Sequence, residues 1–429
     1  MPTAPSASSA LPRTFRLVAG CAVLGLTLAL SACGGSSDEP STDGPQKVTM
    51  WMMKDSVTKE YLDRFKKDFA ATHKNVTLDV QIQEWDGIGE KVTAALASND
   101  APDVIEVGNT QVAQYAASGG VKDLSDKKAD LKGDDWLPGL AEPGNIDGKQ
   151  FGIPWYAANR VVIYNKDHFE AAGIKAPPKT REEWITITEK LNKGKNQGIY
   201  LPGQTWYTLA GFIWDEGGDL AVKDGKNYKG ALDTPEALKG MEFYKQLQAL
   251  GKGPKDSDEA KPNLADVVSK GDVSQYIAVP GNVKLVEEAN PALKGKFGFF
   301  PVPGKTADKP GASFTGGSDL IIPEASKHQD AAYEVIKAFT GEKWQTDMAK
   351  TMSYVPNKTS FAKALDGDAG GAAMAAAAAN GRATPNSPEW AAVEATNPIK
   401  GYMTAVLTGK DMAAEAKKAS DNITKTLTK

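Results

Sequence analysis

Val48-Thr49-Met50-Trp51-Met52, Val76-Thr77-Leu78-Asp79-Val80-Gln81-Ile82 and Val104-Ile105-Glu106-Val107 are the three stretches on which the fold of this chain turns. The first is mostly apolar, as a strand buried on both faces requires. The second alternates apolar residues with Thr77, Asp79 and Gln81, the period of a half-buried strand. Between them Val57, Tyr61, Phe65 and Phe69 recur every four residues and predict a helix from about 57 to 71. Ile88, Val92, Ala95 and Leu96 predict a second helix, and a third ends at Gly119-Gly120, where positive φ costs little. This β-α-β-α-β-α order predicts a mainly parallel sheet with helices on both faces.

The second half repeats the pattern. Val161-Val162-Ile163-Tyr164 and Val273 to Val279 read as strands, and Phe297 to Val302 is a short apolar run closed by Pro303-Gly304. Thr180 with Glu183 three residues later is a capping box, opening a helix with Trp184, Ile187 and Leu191 inward. Thr234-Pro235 sets another N-cap with proline at the first helical position, and Ala332, Val335, Ile336 and Phe339 form a later helix face. The alanine-rich run from Ala372 to Ala379 favours helix by propensity alone.

At the N-terminus, Arg13 and Arg16 precede a 14-residue apolar run, Leu17 to Leu30, followed by Leu30-Ser31-Ala32-Cys33. A positive n-region, a short apolar core and small residues at the cut describe a secretory signal peptide, and the run is too short to span a membrane. Leu-Ser-Ala-Cys resembles the bacterial lipobox, which implies cleavage before Cys33 and lipidation of its thiol; the alternative is a plain signal peptide with an incidental cysteine. Residues 34–46 are polar without an apolar period and read as a flexible tether, about 20 Å in reach.

Removing residues 1–33 takes away two arginines and no acidic residue, leaving 48 basic and 54 acidic residues and a formal charge of −6. That charge gives no footprint for nucleic acid. Cys21 leaves with the signal, so the remaining chain has no disulfide, and His73, His168 and His328 lie too far apart for metal-ligand spacing. About 396 residues remain, more than one hydrophobic core usually organises, and two lobes are expected.

Three segments carry a family resemblance. Ala101-Pro102-Asp103-Val104-Ile105 with Tyr115-Ala116-Ala117-Ser118-Gly119-Gly120-Val121 is the first. Asp147-Gly148-Lys149-Gln150-Phe151-Gly152-Ile153-Pro154-Trp155, running on to Tyr164-Asn165-Lys166, is the second. Gly316-Gly317-Ser318 with Val355-Pro356-Asn357 is the third. Together they resemble the bacterial extracellular solute-binding proteins, the sugar-binding kind that serves ABC importers. Gln83-Glu84-Trp85-Asp86-Gly87-Ile88, Val107-Gly108-Asn109-Thr110-Gln111, Tyr200 to Tyr207 and Pro388 to Glu394 further resemble the actinobacterial chitobiose-binding lipoproteins. Asp86, Thr205 and Asp319 depart from that pattern, which has Asn there, so the hydrogen bonds offered to a sugar change.

The resemblance implies an α/β, two-lobed periplasmic-binding-protein-like fold of type II, with discontinuous lobes around a central cleft and hinge strands. Lobe one is placed at 47–157 plus 305–350 and lobe two at 158–304 plus 351–429, with hinges near 157–161 and 302–311. It implies a monomeric receptor, held to the membrane through Cys33, that passes an oligosaccharide to the transmembrane subunits of an ABC permease. Chitobiose or another β-linked disaccharide is the expected ligand. The alternatives are a same-fold binder of an α-linked sugar or a polyamine, and a secreted glycosidase.

A pyranose ring carries C–H groups on its faces and hydroxyls on its rim, so aromatic platforms and polar side chains are the chemistry to seek. Covering ~100 Å² of ring at about 25 cal/mol/Å² gives roughly 2.5 kcal/mol. Two or three platforms plus hydrogen bonds of ~1 kcal/mol net each reach micromolar affinity, about −8 kcal/mol. Trp206 beside Gln204, Trp390 after Glu389, Trp155 at the predicted end of a strand and Trp85 in a polar loop are the candidate platforms, with core packing as the alternative for each. Trp51, Trp184 and Trp344 read as core or surface helix residues.

Asn109 and Gln111 follow a strand at the carboxyl end where ligands meet α/β sheets. Asn159 and Arg160 stand at the predicted hinge, where the guanidinium can fork to ring oxygens or hold an ion pair between lobes. Asn282 follows a strand and matches a family ligand loop, and in Gly316-Gly317-Ser318 the two glycines, lacking side chains, let a ligand approach backbone N–H groups, which makes Gly317 and Ser318 candidates. Lys54 and Asp55 follow the first strand, with a helix N-cap at Asp55 or Ser56 as the alternative. Asp215-Glu216 is the nearest thing to a glycosidase carboxylate pair; adjacent helical residues diverge, and the pair reads as a solvated helix end. No nucleophile elbow or phosphate loop is present, so no catalytic residue, cofactor or metal is expected.

Overall fold

The computed structural model describes residues 44–428 apart from 226, 386 and 388. The signal segment, Cys33 and the tether up to residue 43 lie outside the described residues. The first strand begins at Gln46, a residue that the sequence assigned to the tether, and pairs from there onward.

β1 (Gln46–Met53), β2 (Val76–Gln83) and β3 (Val104–Gly108) pair in parallel, with α1 (Lys59–Thr72) and α2 (Ile88–Leu96) in the crossovers. α1 starts at Thr58, whose hydroxyl accepts from Tyr61 N–H, so neither Asp55 nor Ser56 is the cap. Tyr61, Phe65 and Phe69 form the buried stripe, and Phe65 stacks on Phe339 at 3.5 Å between centroids. Thr180 caps the helix Arg181–Leu191, and the Glu183 carboxylate returns to Lys179 N–H at 2.7 Å.

The sheet is mixed rather than mainly parallel. β8 (Ser313–Ile321) runs antiparallel both to β3 and to β4 (Ile153–Asn159), and β9 (Val355–Pro356) runs antiparallel to β4. With β10 (Gly381–Arg382) beside β8, the seven-stranded sheet has the path β9-β4-β8-β3-β1-β2. The reason is long-range: β8 enters between β3 and β4 from a distant part of the chain. β9 belongs to this sheet although it lies beyond residue 350.

A second sheet has the order β6-β5-β7, from β5 (Val161–Asn165), β6 (Gln275–Ala278) and β7 (Phe297–Phe300), all antiparallel neighbours. Its residues alternate between two cores. Val161 and Ile163 join the core of Val48, Met50, Phe65 and Trp155, whereas Val162 joins that of Trp184, Phe212, Met241 and Tyr244. The two-residue period of a strand thus gives each face of this small sheet its own hydrophobic layer.

Asp215-Glu216 is not a solvated helix end. α3 (Trp206–Asp215) finishes against buried Arg181, whose guanidinium lies 2.9 Å from Asp215 Oδ2 and 2.9 Å from Glu216 Oε1. Arg181 also donates to the Phe212 carbonyl at 3.2 Å and covers the Phe243 ring at 4.6 Å. A cation at a helix C-terminus satisfies the free carbonyls and the dipole together. Both carboxylates are thus occupied in a buried structural cluster.

Candidate functional site

Four strand ends converge on one cleft of about 360 Å³. β1 delivers Lys54 and Asp55, β2 delivers Trp85 and Asp86, β3 delivers Asn109 to Gln111, and β6 leads to Asn282 at the start of α4 (Asn282–Ala289). This is the carboxyl-end geometry expected of open α/β sheets.

The cleft has aromatic walls. Trp206 packs on Tyr207 at 3.9 Å, and Tyr207 on Phe314 at 4.4 Å. A second aromatic pair also lines the cleft: Tyr156 stacks on Tyr354 at 4.3 Å with the rings 8° from parallel. Trp85 is 41% exposed, so its ring is available at the rim. Arg160 covers the Tyr207 ring at 4.5 Å and pairs with Glu259 at 2.8 Å.

Six carboxylates and three cations line this cleft. Each cation has a carboxylate partner: Lys54 with Glu84 at 3.1 Å, Arg160 with Glu259 at 2.8 Å and Lys400 with Asp258 at 2.6 Å. None is left over for an anionic ligand among the described residues. Glu394 is held by neutral donors instead, Trp390 Nε1 at 2.8 Å and Thr110 Oγ at 3.2 Å, and burial pushes its carboxyl up to about 7. Asn282 Oδ1 is buried without a hydrogen-bond partner among the described residues, an unmet demand that a ligand donor in the cleft would satisfy.

Ten of the fourteen sequence candidates therefore line one cleft: Lys54, Asp55, Trp85, Asn109, Gln111, Arg160, Trp206, Asn282, Gly317 and Ser318. Asp55 has φ 66° and accepts from Asn263 Nδ2 at 2.6 Å. Gly317 lacks a side chain for a reason other than ligand approach: a Cβ there would stand 2.5 Å from the Tyr156 carbonyl on β4.

Trp155, Asn159, Gln204 and Trp390 are not in the lining. Trp155 sits within β4 rather than at its end, fully buried and edge-on to Phe339 at 5.5 Å. Strand alternation sends Trp155 to the far face of the sheet and its neighbour Tyr156 into the cleft. Asn159 bonds Thr315 Oγ at 2.7 Å and Gln204 bonds Thr404 Oγ at 2.9 Å. Trp390 is buried and reaches the cleft only through its bond to Glu394. Of the three positions departing from the chitobiose pattern, Asp86 lines the cleft and pairs with Lys261 at 2.7 Å. Thr205 and Asp319 are buried outside the lining, so the Asp319 carboxyl does not meet a ligand in the cleft.

Sequence reading missed Tyr156, Tyr207, Phe314, Tyr354, Glu259 and Glu394. Tyr207 and Glu394 were within reach of it, one adjacent to Trp206 and the other one helical turn beyond Trp390. The described residues contain no group of His, Cys, Asp and Glu able to hold a metal ion, and no helix long and apolar enough to cross a membrane.

The chain is 41% identical over 423 residues to the diacetylchitobiose-binding protein DasA of Streptomyces coelicolor, covering 96% of this chain and 98% of the relative. It is 24% identical to a maltooligosaccharide ABC transporter solute-binding lipoprotein of Streptococcus pneumoniae, covering 95% of each. The crystal structure of an ABC transporter solute-binding protein from Thermotoga lettingae, bound with α-D-tagatose, superposes with a TM-score of 0.79 at 25% identity, covering 89% of this chain and 100% of that one. The fold is that of the two-lobed periplasmic sugar-binding proteins. With residues 54–346 matching the family described as bacterial extracellular solute-binding protein, the chain belongs to that family of receptors, which are binders and not enzymes.

Proposed function

We propose that this protein is the receptor of a carbohydrate ABC importer and that the cleft captures a β-linked disaccharide of the chitobiose type. The observation that carries this reading is the cleft itself: two aromatic groups, Trp206-Tyr207-Phe314 and Tyr156-Tyr354, line it together with carboxylates, amides and hydroxyls, which suits ring faces and rim hydroxyls together. Its volume of about 360 Å³ falls within the range of small-molecule sites. The diacetylchitobiose named for the Streptomyces relative supports the choice of sugar. Ten of the predicted residues are the proposed contacts, with Tyr156, Tyr207, Tyr354 and Glu394 added.

Lobe one comprises 47–157 plus 305–350 and lobe two 158–304 plus 351–429, with the pairing of β9 supporting an extension of lobe one through Pro356. The passage from β4 to β5 at Arg160 supports a hinge at 157–161. Sugar bound between the lobes stabilises the closed form through its contacts to both, shifting an existing equilibrium. The closed monomer then docks on the permease. Lipidation of Cys33 keeps it on the outer face of the membrane, a reading that the lipoprotein name of the pneumococcal relative supports.

A thermal-melt screen of the purified protein against disaccharides, polyamines and metal ions tests the proposal. A ligand at 100 times its Kd adds about 2.7 kcal/mol, a shift of several degrees at most. N,N′-diacetylchitobiose is expected to raise Tm. A shift with spermidine and none with any β-linked disaccharide contradicts the sugar reading.

A further inference from the structure

We infer that Glu106 is a positioning residue that makes the floor of the cleft a hydrogen-bond-accepting surface, so that the sugar edge laid against it presents donors. The inference deepens, and rests on, the sugar reading. Glu106 lies in β3 and is completely buried. Its Oε2 accepts from Met53 N–H at 2.9 Å. Its Oε1 accepts from Ser56 Oγ at 2.7 Å, Ser318 Oγ at 2.8 Å and, more weakly, Tyr156 OH at 3.4 Å.

Ser56, Ser318 and Tyr156 come from three separate parts of the chain, and all three line the cleft. Each hydroxyl owns a single hydrogen. An ionised carboxylate only accepts, so it draws those hydrogens inward, and lone pairs are what remain for the cleft. The hydroxyls also lie close to one another, Ser318 to Tyr156 at 3.3 Å and Tyr156 to Ser56 at 3.5 Å, so they respond to Glu106 as one group. Hydroxyl and amide N–H groups of a sugar match such a floor; ring and carbonyl oxygens do not.

No cation pairs with Glu106 among the described residues. The titratable groups facing it are Tyr156 from β4 and Tyr354 ahead of β9, and Tyr354 in turn feels Asp55 and Arg160. Burial pushes the Glu106 carboxyl up to about 7, against the pull of its four donors. Protonation then adds a hydrogen to the cluster, and one hydroxyl hydrogen turns out toward the cleft.

The test is calorimetric titration of N,N′-diacetylchitobiose into wild type and Glu106→Gln at about pH 5.5 and about pH 8.5. A protonated Glu and a Gln are both neutral and both carry a donor. The variant is therefore expected to bind about tenfold more weakly at the higher pH and within about threefold of wild type at the lower. Glu394, also pushed up to about 7, is present in both proteins and cancels from their ratio. Should Glu106→Gln fail to fold, Ser318→Ala carries the test, its penalty again larger at the higher pH. A ratio that does not change with pH overturns the inference while leaving the sugar reading standing. Wild type that binds no sugar at either pH overturns both.

Discussion

Trp390 Nε1 donates a 2.8 Å hydrogen bond to Glu394 Oε1, one helical turn further along the helix Trp390–Thr396. The pair divides labour: the indole is buried, and the carboxylate faces the cleft. Trp390 is thus a support for the site and not a platform for the ligand. Replacing it with Phe keeps most of the ring and removes the donor. Trp390→Phe is expected to weaken sugar binding by about 1 kcal/mol, roughly fivefold, measured by calorimetry at fixed pH. Unchanged affinity would mean that Thr110 alone suffices to hold Glu394.

Trp85 and Trp155 should respond in opposite ways. Trp85→Ala removes a ring that is 41% exposed at the cleft rim, so Tm stays nearly unchanged while affinity falls by roughly 2 kcal/mol. Trp155→Ala empties a fully buried site beside Phe339 and costs about 3–5 kcal/mol of stability. Denaturant melts paired with titrations separate the two effects.

Asp319 carries a pH dependence whose sign follows from its burial. Neither carboxylate oxygen has a hydrogen-bond partner among the described residues, and burial alone pushes the group up to about 8. An unfolded Asp titrates near about 3.9, so between those values the folded state holds a proton that the unfolded state releases. The contribution to stability therefore falls as pH rises from about 4 to about 8 and is level above. Asp319→Asn should raise stability by about 2 kcal/mol or more at pH 8 and by little near pH 4. Equal melting-temperature gains at both ends of that range would contradict this account.

Arg181 tests the reading of Asp215 and Glu216 as structure. Arg181→Ala strands two buried carboxylates and is expected to cost about 3–5 kcal/mol in a urea melt. The folded fraction should bind sugar as wild type does, because none of the three residues lines the cleft. A selective loss of binding at unchanged stability would place them in the site.

What the sequence disclosed follows from the range of the interactions involved. The buried stripe of Tyr61, Phe65 and Phe69 was legible because helical spacing shows itself within a dozen residues. So were Asn109 and Gln111, since a strand end announces the edge of a sheet. The face chosen by Trp155 was not legible: every residue of Ile153–Asn159 is buried, and an all-buried strand carries no alternation to read. The mixed character of the large sheet was hidden because β8 arrives from a remote segment. Arg181 against Asp215, and Lys400 against Asp258, join residues far apart in the chain, where local pattern gives no warning. The sequence did place most of the cleft, because the strand ends and loops that build it are local features.

Capture of a β-linked disaccharide in this cleft is decided by calorimetric titration of N,N′-diacetylchitobiose into wild type and Glu394→Ala. One site per chain is expected, with a Kd at or below about 1 μM and a loss of about tenfold or more in the variant at similar Tm. No heat with this or any β-linked disaccharide, alongside saturable binding of spermidine, would contradict it.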